Sequence, residues 1–295
     1  MAARISVTPR CQCDPSCSNP PLDATSPFCN EHANGKCERI SPLSGELPYA
    51  PSQYNKFPGI KEAFNCFAYA FGLFMLPNKK GCDVSSCPIS FHQPGYKSGH
   101  PSWSNSEKNG KRCPDLISRI FGDIGISSKK NGLPEVTMCH FNTKCPEGMR
   151  KIAVIVDAKQ DYHFLRLDNN HYWSHKPGAT DVTNVDATGR HIWDPQLAVF
   201  HYPESNLNYE NFCGYLCIPA SHEITHNMKL ARISRTNNST SNSNKSNKSN
   251  KSNKSNKSNK SNKSNKSNKS NKSNKSNNTK KNNKNNTRTV RRTSI

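Results

Sequence analysis

The clearest pattern of apolar and polar positions lies in the second half of the folded part of the chain. Residues 151–157 (KIAVIVD) form an almost continuous apolar run of the kind found in buried strands. Residues 161–168 (DYHFLRLD) alternate, so that His163 would share one face of a strand with two leucines. After an Asn-Asn turn, residues 171–175 (HYWSH) predict a further strand. The pattern therefore predicts antiparallel strands that are joined by short turns.

Two helical patterns and a closing strand complete the predicted domain. Asn65 is a strong helix N-cap residue, and the apolar run of residues 66–76 after it predicts a buried helix that carries Cys66. Residues 114–124 (PDLISRIFGDI) predict an amphipathic helix with Pro in its first turn, and residues 211–219 (NFCGYLCIP) predict the last strand. The predicted fold class is α+β, with the Cys-bearing helix packed on an antiparallel sheet of roughly four to six short strands.

The composition divides the chain into three parts. Residues 1–45 are rich in Cys and His, residues 46–235 form the predicted folded domain, and residues 236–295 form a tail built on a Ser-Asn-Lys repeat. From residue 237 onwards there are 14 Lys, 3 Arg and no acidic residue, so the tail carries most of the formal charge of +21. Such a segment cannot bury a core and is predicted to be disordered. It would bind nucleic acid or another polyanion non-specifically, unless it is a low-complexity expansion without a function.

The apolar content of the chain also suggests a location. The first thirteen residues lack the apolar stretch of a signal peptide, and no stretch approaches the roughly 18–20 apolar residues needed to span a bilayer. We therefore expect an intracellular protein, in a host cytoplasm or a virion, that is not secreted and does not contact a membrane. In such a reducing compartment, the thirteen cysteines argue for metal binding or catalysis before disulfides.

The N-terminal cysteines predict a structural zinc ion. The segment holds six possible ligands but few apolar residues to fold around, and a short zinc-binding segment of this kind is stabilised by its metal. The six candidates are Cys11, Cys13, Cys17, Cys29, His32 and Cys37. Their spacing leaves open which four bind the metal, and the alternative is a loose cysteine-rich loop without one. The segment is similar to the short Cys-Cys-Cys-His zinc knuckles of giant-virus proteins.

The remaining cysteines give weaker signals. A second metal site would draw on Cys82, Cys87, His92, His100 and Cys113, although their spacings fit no standard site. Packing in the core is the expected role of Cys139, Cys145, Cys213 and Cys217.

Cys66 and two histidines have the layout of a thiol hydrolase. In the first turn of a helix, the positive end of the helix dipole lowers the pKa of a thiol, and a neighbouring imidazolium lowers it further. Pairing of the two predicted strands brings His163 and His175 together, one as the base and the other as its orienting partner. The alternative is a buried structural cysteine and a pair of structural histidines.

Over roughly residues 60–220, this order of residues resembles the papain-like thiol hydrolases, specifically the NlpC-type peptidases and amidases. The resemblance implies Cys66 as nucleophile, His163 as general base and His175 as the orienting group. Rivals for the third role are Asp181, Asn184 and Asp186. The block from Asp161 to Asn184, with FCGYLCIP after it, also resembles an uncharacterised family of giant-virus and bacterial proteins.

The leading hypothesis from the sequence is a virus-encoded cysteine hydrolase that cleaves a peptide or amide substrate. The alternative is a non-catalytic virion or scaffold protein that binds partners or nucleic acid through the zinc segment and the basic tail. A zinc hydrolase that uses the histidines as ligands is disfavoured because the sequence has no H-E-x-x-H spacing.

Overall fold

The computed structural model describes residues 8–89, 91–101 and 112–220. Its helices are α1 (Ser52–Asn55), α2 (Pro58–Ala63), α3 (Cys66–Ala70) and α4 (Cys113–Asn131). Its strands are β1 (Thr137–Cys139), β2 (Met149–Asp157), β3 (Asp161–Leu167), β4 (Trp173–His175), β5 (His201–Tyr202), β6 (Leu207–Asn208) and β7 (Asn211–Pro219). The predicted disordered tail, residues 236–295, lies outside the described residues.

A five-stranded antiparallel sheet organises the described part of the chain. The strand order is β1-β7-β2-β3-β4, and β5 and β6 form a separate two-stranded sheet. The α+β prediction with an antiparallel sheet is therefore confirmed. The strands predicted from the apolar run of residues 151–157 and from the closing segment are β2 and β7. The edge strand β1 was not predicted, because three residues are too few to show a period of two.

The two faces of this sheet are covered in different ways. The helix face is the side on which Tyr162 and Phe164 of β3 pack against α3 and α4. The loop face is the opposite side, which carries Leu165 and Trp173. It is covered largely by irregular chain, including cysteines from the N-terminal segment and the aromatic residues near position 193. Both faces are buried, so residues 152–156 of β2 form a continuous apolar run and do not alternate between apolar and polar residues.

Helix α3 begins where the sequence predicts and ends earlier. The side chain of Asn65 accepts a hydrogen bond from the backbone N–H of Ala68 at 3.1 Å, as an N-cap should. The helix stops at Ala70, and Gly72 takes a left-handed conformation with φ of +71°. A side chain at Gly72 would also come within 3.1 Å of the Arg150 guanidinium. Beyond its first five residues, the apolar run up to residue 76 is therefore a turn and coil. Its residues are apolar because most of them are buried, and not because they form one face of a helix.

Eight of the thirteen cysteines form disulfides, which corrects the expectation that metal binding or catalysis would come first. The pairs are Cys13–Cys37, Cys82–Cys87, Cys113–Cys213 and Cys145–Cys217. The cysteines expected to pack as free thiols are therefore cross-linked, except Cys139. The predicted second metal site is wrong, because its three cysteines are oxidised and offer no thiolate.

Candidate functional site

Cys66 lies in the first turn of α3 but is not activated. Its thiol is buried on the helix face, and its Sγ lies 4.0 Å from the carbonyl oxygen of Tyr162. Burial, with a smaller contribution from the Asp161 carboxylate, raises the pKa of Cys66 to about 12. The first turn of a helix of only five residues does not offset this desolvation. Cys66 is therefore a protonated thiol near neutral pH.

His163 and His175 come together as the pairing of β3 and β4 predicts, and they form a buried neutral pair. His175 Nε2 lies 2.9 Å from the carbonyl oxygen of Val185, so this nitrogen carries a hydrogen and donates it. His175 Nδ1 must then accept, and the Nε2–H of His163 donates to it at 2.8 Å. Burial lowers the pKa of His175 to about 4 and holds the pKa of His163 well below its usual value.

The structure does not bring Cys66 and His163 together. Neighbouring side chains of a strand point to opposite faces, and Cys66 packs on the face of β3 that carries Tyr162 and Phe164. His163 lies on the loop face, where its ring contacts His175 and Tyr209 at centroid distances of 4.9 and 5.3 Å. In the described part of the chain, Cys66 and His163 form no hydrogen bond with each other, because the Cys66 thiol contacts the backbone of Tyr162 and the His163 ring donates to His175.

The rival third residues are engaged elsewhere. Asp181 forms an exposed ion pair with Lys61 at 3.1 Å. Asp186 accepts hydrogen bonds from the Thr188 hydroxyl and from the backbone N–H of Val199, which hold a loop rather than a histidine. The backbone carbonyl oxygen of Asn184 accepts a hydrogen bond from the backbone N–H of Ile192.

A cavity of about 500 Å³ opens on the loop face beside β1 and β7. It is lined by Arg39, Met138, Cys139, His140, Phe141, Asn142, Gln196, Phe212, Gly214 and Tyr215. None of the three predicted catalytic residues lines it, so this cavity does not give a substrate access to them.

The N-terminal segment contains a candidate metal centre. Cys13 and Cys37 are bonded to each other, which removes two of the six predicted ligands. The ligand atoms of the other four, Cys11, Cys17, Cys29 and His32, lie within 4.8 Å of one another. These four residues could hold a metal ion.

The thiols of this cluster differ in acidity. Burial opposes ionisation of Cys29, but hydrogen bonds with Cys11 and His32 outweigh it and lower the pKa of Cys29 to about 7. Burial and the neighbouring thiols raise the pKa of Cys17 to about 11. One thiol of the cluster is therefore ready to ionise without a metal, and a bound cation would favour ionisation of the others.

Sequence reasoning missed Gln12, which lies between two of the predicted ligands. Its side-chain oxygen accepts the backbone N–H groups of Trp193 and Asp194 at 2.7 and 3.1 Å, and its side-chain nitrogen donates to the carbonyl oxygen of His191 at 3.3 Å. All three contacts span about 180 residues of sequence. No local pattern could have indicated them.

Comparison with known proteins decides between the two leading hypotheses. No family model matches the chain, and no solved structure matches it. The chain is 30% identical over 168 residues to insoluble matrix shell protein 1 of Ruditapes philippinarum, a match that covers 57% of this chain and 87% of that protein.

The chain belongs to the family of insoluble matrix shell protein 1. This membership contradicts the cysteine hydrolase hypothesis, because the relative is named as a matrix protein and not as an enzyme. The chemistry of Cys66 agrees with this correction, because burial raises the pKa of its thiol to about 12 and the thiol forms no hydrogen bond with His163. The match to a shell protein also gives no support to a giant-virus origin.

The structure bears on two parts of the location expected from the sequence, the absence of a membrane span and the reducing compartment. Within residues 8–89, 91–101 and 112–220, no helix combines the length and the apolar character that crossing a bilayer requires. The four disulfides, in contrast, are typical of oxidising surroundings rather than of a reducing cytosol.

Proposed function

We propose that this protein is a non-catalytic structural component of an extracellular matrix. The observation that carries the proposal is its membership in the family of a protein named for an insoluble shell matrix. Two features of the structure support it: the disulfides suit an oxidising medium, and burial keeps the Cys66 thiol protonated near neutral pH. We also propose that the scaffold is papain-like, without the activity of that family. The packing of α3 on an antiparallel sheet supports this.

We propose zinc as the ion of the N-terminal cluster. Three cysteines and one histidine form a ligand set that zinc favours in structural sites, where all four positions are taken by protein atoms. Hard cations such as calcium prefer oxygen ligands, and the cluster offers none. The ion would serve the fold and not a reaction.

The basic tail gives the matrix protein a means of association. Its 14 Lys and 3 Arg, without any acidic residue, attract polyanions through charge alone. In an extracellular matrix we propose acidic polymers as the partners, in place of the nucleic acid considered from the sequence. Such binding weakens steeply as salt rises.

The test mixes the oxidised full chain with polyaspartate and measures co-sedimentation at about 0.1 M and about 1 M salt. We expect the chain to sediment with the polymer at low salt and to be released at high salt. A variant with the fourteen tail lysines replaced by glutamine keeps the tail length and should stay in solution. The Cys66→Ala variant should behave like the parent.

Two results would contradict the proposal. One is equal sedimentation of the variant without tail lysines, which would exclude the tail from the assembly. The other is hydrolysis of amide or ester substrates by the parent that disappears in the Cys66→Ala variant, which would restore an enzyme function.

A further inference from the structure

Three distances within the N-terminal cluster lie within about 0.4 Å of those in a tetrahedral zinc site. Zinc–sulfur and zinc–nitrogen bonds of about 2.3 and 2.05 Å, at tetrahedral angles, place two sulfurs roughly 3.8 Å apart and a sulfur and a nitrogen roughly 3.6 Å apart. The Sγ atoms of Cys17 and Cys29 lie 3.6 Å apart. His32 Nδ1 lies 3.4 Å from Cys11 Sγ and 3.2 Å from Cys29 Sγ.

The backbone around the cluster prepares these ligands for a metal. The backbone N–H of Cys29 donates to Cys11 Sγ at 3.2 Å, a contact that favours the thiolate form of a ligand. The N–H of His32 donates to the carbonyl oxygen of Cys29 at 3.1 Å, and this turn aims both side chains at the same point. Cys11 and Cys29 are buried, with 0% and 1% of their surface exposed.

The same short segment holds Gln12 in the loop that covers the sheet. Gln12 stands between Cys11 of the cluster and Cys13 of the Cys13–Cys37 disulfide, so both neighbours along the chain are fixed. Its side chain is 1% exposed and satisfies three backbone groups of residues 191–194. Buried backbone groups that lose their partners cost about 1–3 kcal/mol each, so this side chain matters to the loop.

Further contacts continue this docking. The backbone N–H of His191 donates to the carbonyl oxygen of Thr25 at 3.0 Å, and Phe28 packs edge-on against Trp193 with ring centroids 5.1 Å apart. Both Thr25 and Phe28 lie between the second and third ligands, Cys17 and Cys29, so a metal that joins the ligands also fixes this loop.

We infer that a single ion bound by Cys11, Cys17, Cys29 and His32 is a latch that holds the N-terminal segment on residues 191–194 through Gln12. The inference rests on the zinc ion of the proposed function and adds the ligand set and its mechanical role. Binding displaces the thiol protons to solvent, and no redox step is involved. Removal of the ion leaves the Cys13–Cys37 disulfide intact but frees the segment from the loop.

The first experiment measures zinc in the full chain, purified with its disulfides formed and dialysed against metal-free buffer. We expect one zinc per chain by mass spectrometry of the metal, and almost none in Cys29→Ser and His32→Ala. The matched control replaces Cys13 and Cys37 by Ser together; it removes two neighbouring cysteines and should keep the zinc. Cobalt substitution of the parent should give thiolate-to-cobalt charge-transfer absorption, a readout that does not depend on the folding of a variant.

The second experiment tests the latch by hydrogen exchange of the full chain with and without a zinc chelator. Chelation should speed exchange at the amides of Trp193 and Asp194 at least tenfold, while the central strand β2 stays protected. Gln12→Ala should show the same fast exchange at these two amides with its zinc retained.

Each outcome decides a different point. Bound zinc with unchanged exchange after chelation would overturn the latch. A parent chain without zinc, with Cys17 and Cys29 joined in a disulfide, would overturn the metal site. Neither result would alter the sedimentation with polyaspartate, so the latch and the matrix function fail separately.

Discussion

The two faces of the central sheet are held by different means. On the helix face, α3 and α4 bring regularly spaced apolar side chains whose own backbones are largely hydrogen-bonded. On the loop face, irregular chain covers the sheet, and it is fixed by disulfides and by polar side chains such as Gln12, beside the four residues proposed to bind zinc. A face without helices to cover it needs cross-links between segments distant in sequence.

The same comparison also places two residues of the hydrolase hypothesis. Cys66 belongs to the helix face and His163 to the loop face. A shift of β3 by one residue would place His163 on the helix face, because successive side chains of a strand point to opposite faces. The histidine pair instead belongs to the aromatic core of the loop face.

The largest expected loss of stability comes from opening a disulfide on the loop face. Replacing Cys145 and Cys217 by Ala opens a link that spans 72 residues and should lower the free energy of unfolding by about 4 kcal/mol. The matched control opens Cys82–Cys87, which spans 5 residues, and should cost about 2 kcal/mol. Urea denaturation at fixed zinc measures both. Equal losses would show that the number of residues a disulfide spans does not set how much it stabilises this protein.

The next largest loss of stability comes from a substitution in the core of the helix face, which leaves the loop face unchanged. Ile120 of α4 is fully buried, so Ile120→Ala should cost about 3 kcal/mol through the cavity it creates. Ile126 lies on the same helix with 49% of its surface exposed, and Ile126→Ala should change stability by less than about 0.5 kcal/mol. Zinc content should be unchanged in both variants; loss of zinc from the Ile120 variant would argue against separate faces.

Acid should destabilise the loop face through its histidine pair. The pKa of His175 is about 4 in the folded chain and about 6.5 when unfolded, so the unfolded state binds more protons between these values. Stability should therefore fall by about 2 kcal/mol from pH 7 to pH 5 through this group. Denaturant titrations at several pH values measure the slope. Replacing His163 and His175 by Gln should flatten it, whereas replacing the exposed His140 by Gln should not; an unchanged slope in the double variant would exclude the pair as its cause.

The smallest effect concerns the thiol of the helix face. Cys66→Ala should cost about 1 kcal/mol, as expected for the loss of one buried sulfur. In the native parent, iodoacetamide should modify the half-buried Cys139 at least tenfold faster than Cys66, because burial lowers both the access and the ionisation of Cys66. Peptide mass spectrometry after timed alkylation measures the two rates, and preferential labelling of Cys66 would contradict this picture.

Local patterns predicted the elements whose sequence is dominated by burial or alternation. The strands β2, β3 and β7 and the N-cap at Asn65 could be placed because each depends on residues close in sequence. Disulfide partners and the contacts of Gln12 could not, since they join residues from 5 to about 180 positions apart and leave no periodic signal. The four candidate metal ligands became distinguishable only after the Cys13–Cys37 link removed two others.

Cys139 limits how chains of this protein can be joined covalently. All thirteen cysteines lie in the described ranges: eight are paired, three belong to the proposed zinc site and Cys66 is buried. Cys139, beside the cavity on the loop face, is thus one available thiol per molecule. Chains with one available thiol each can form disulfide-linked dimers, but they cannot form a larger covalent network. The proposed assembly of this protein in a matrix therefore depends on the many weak charges of its tail rather than on bonds between sulfurs.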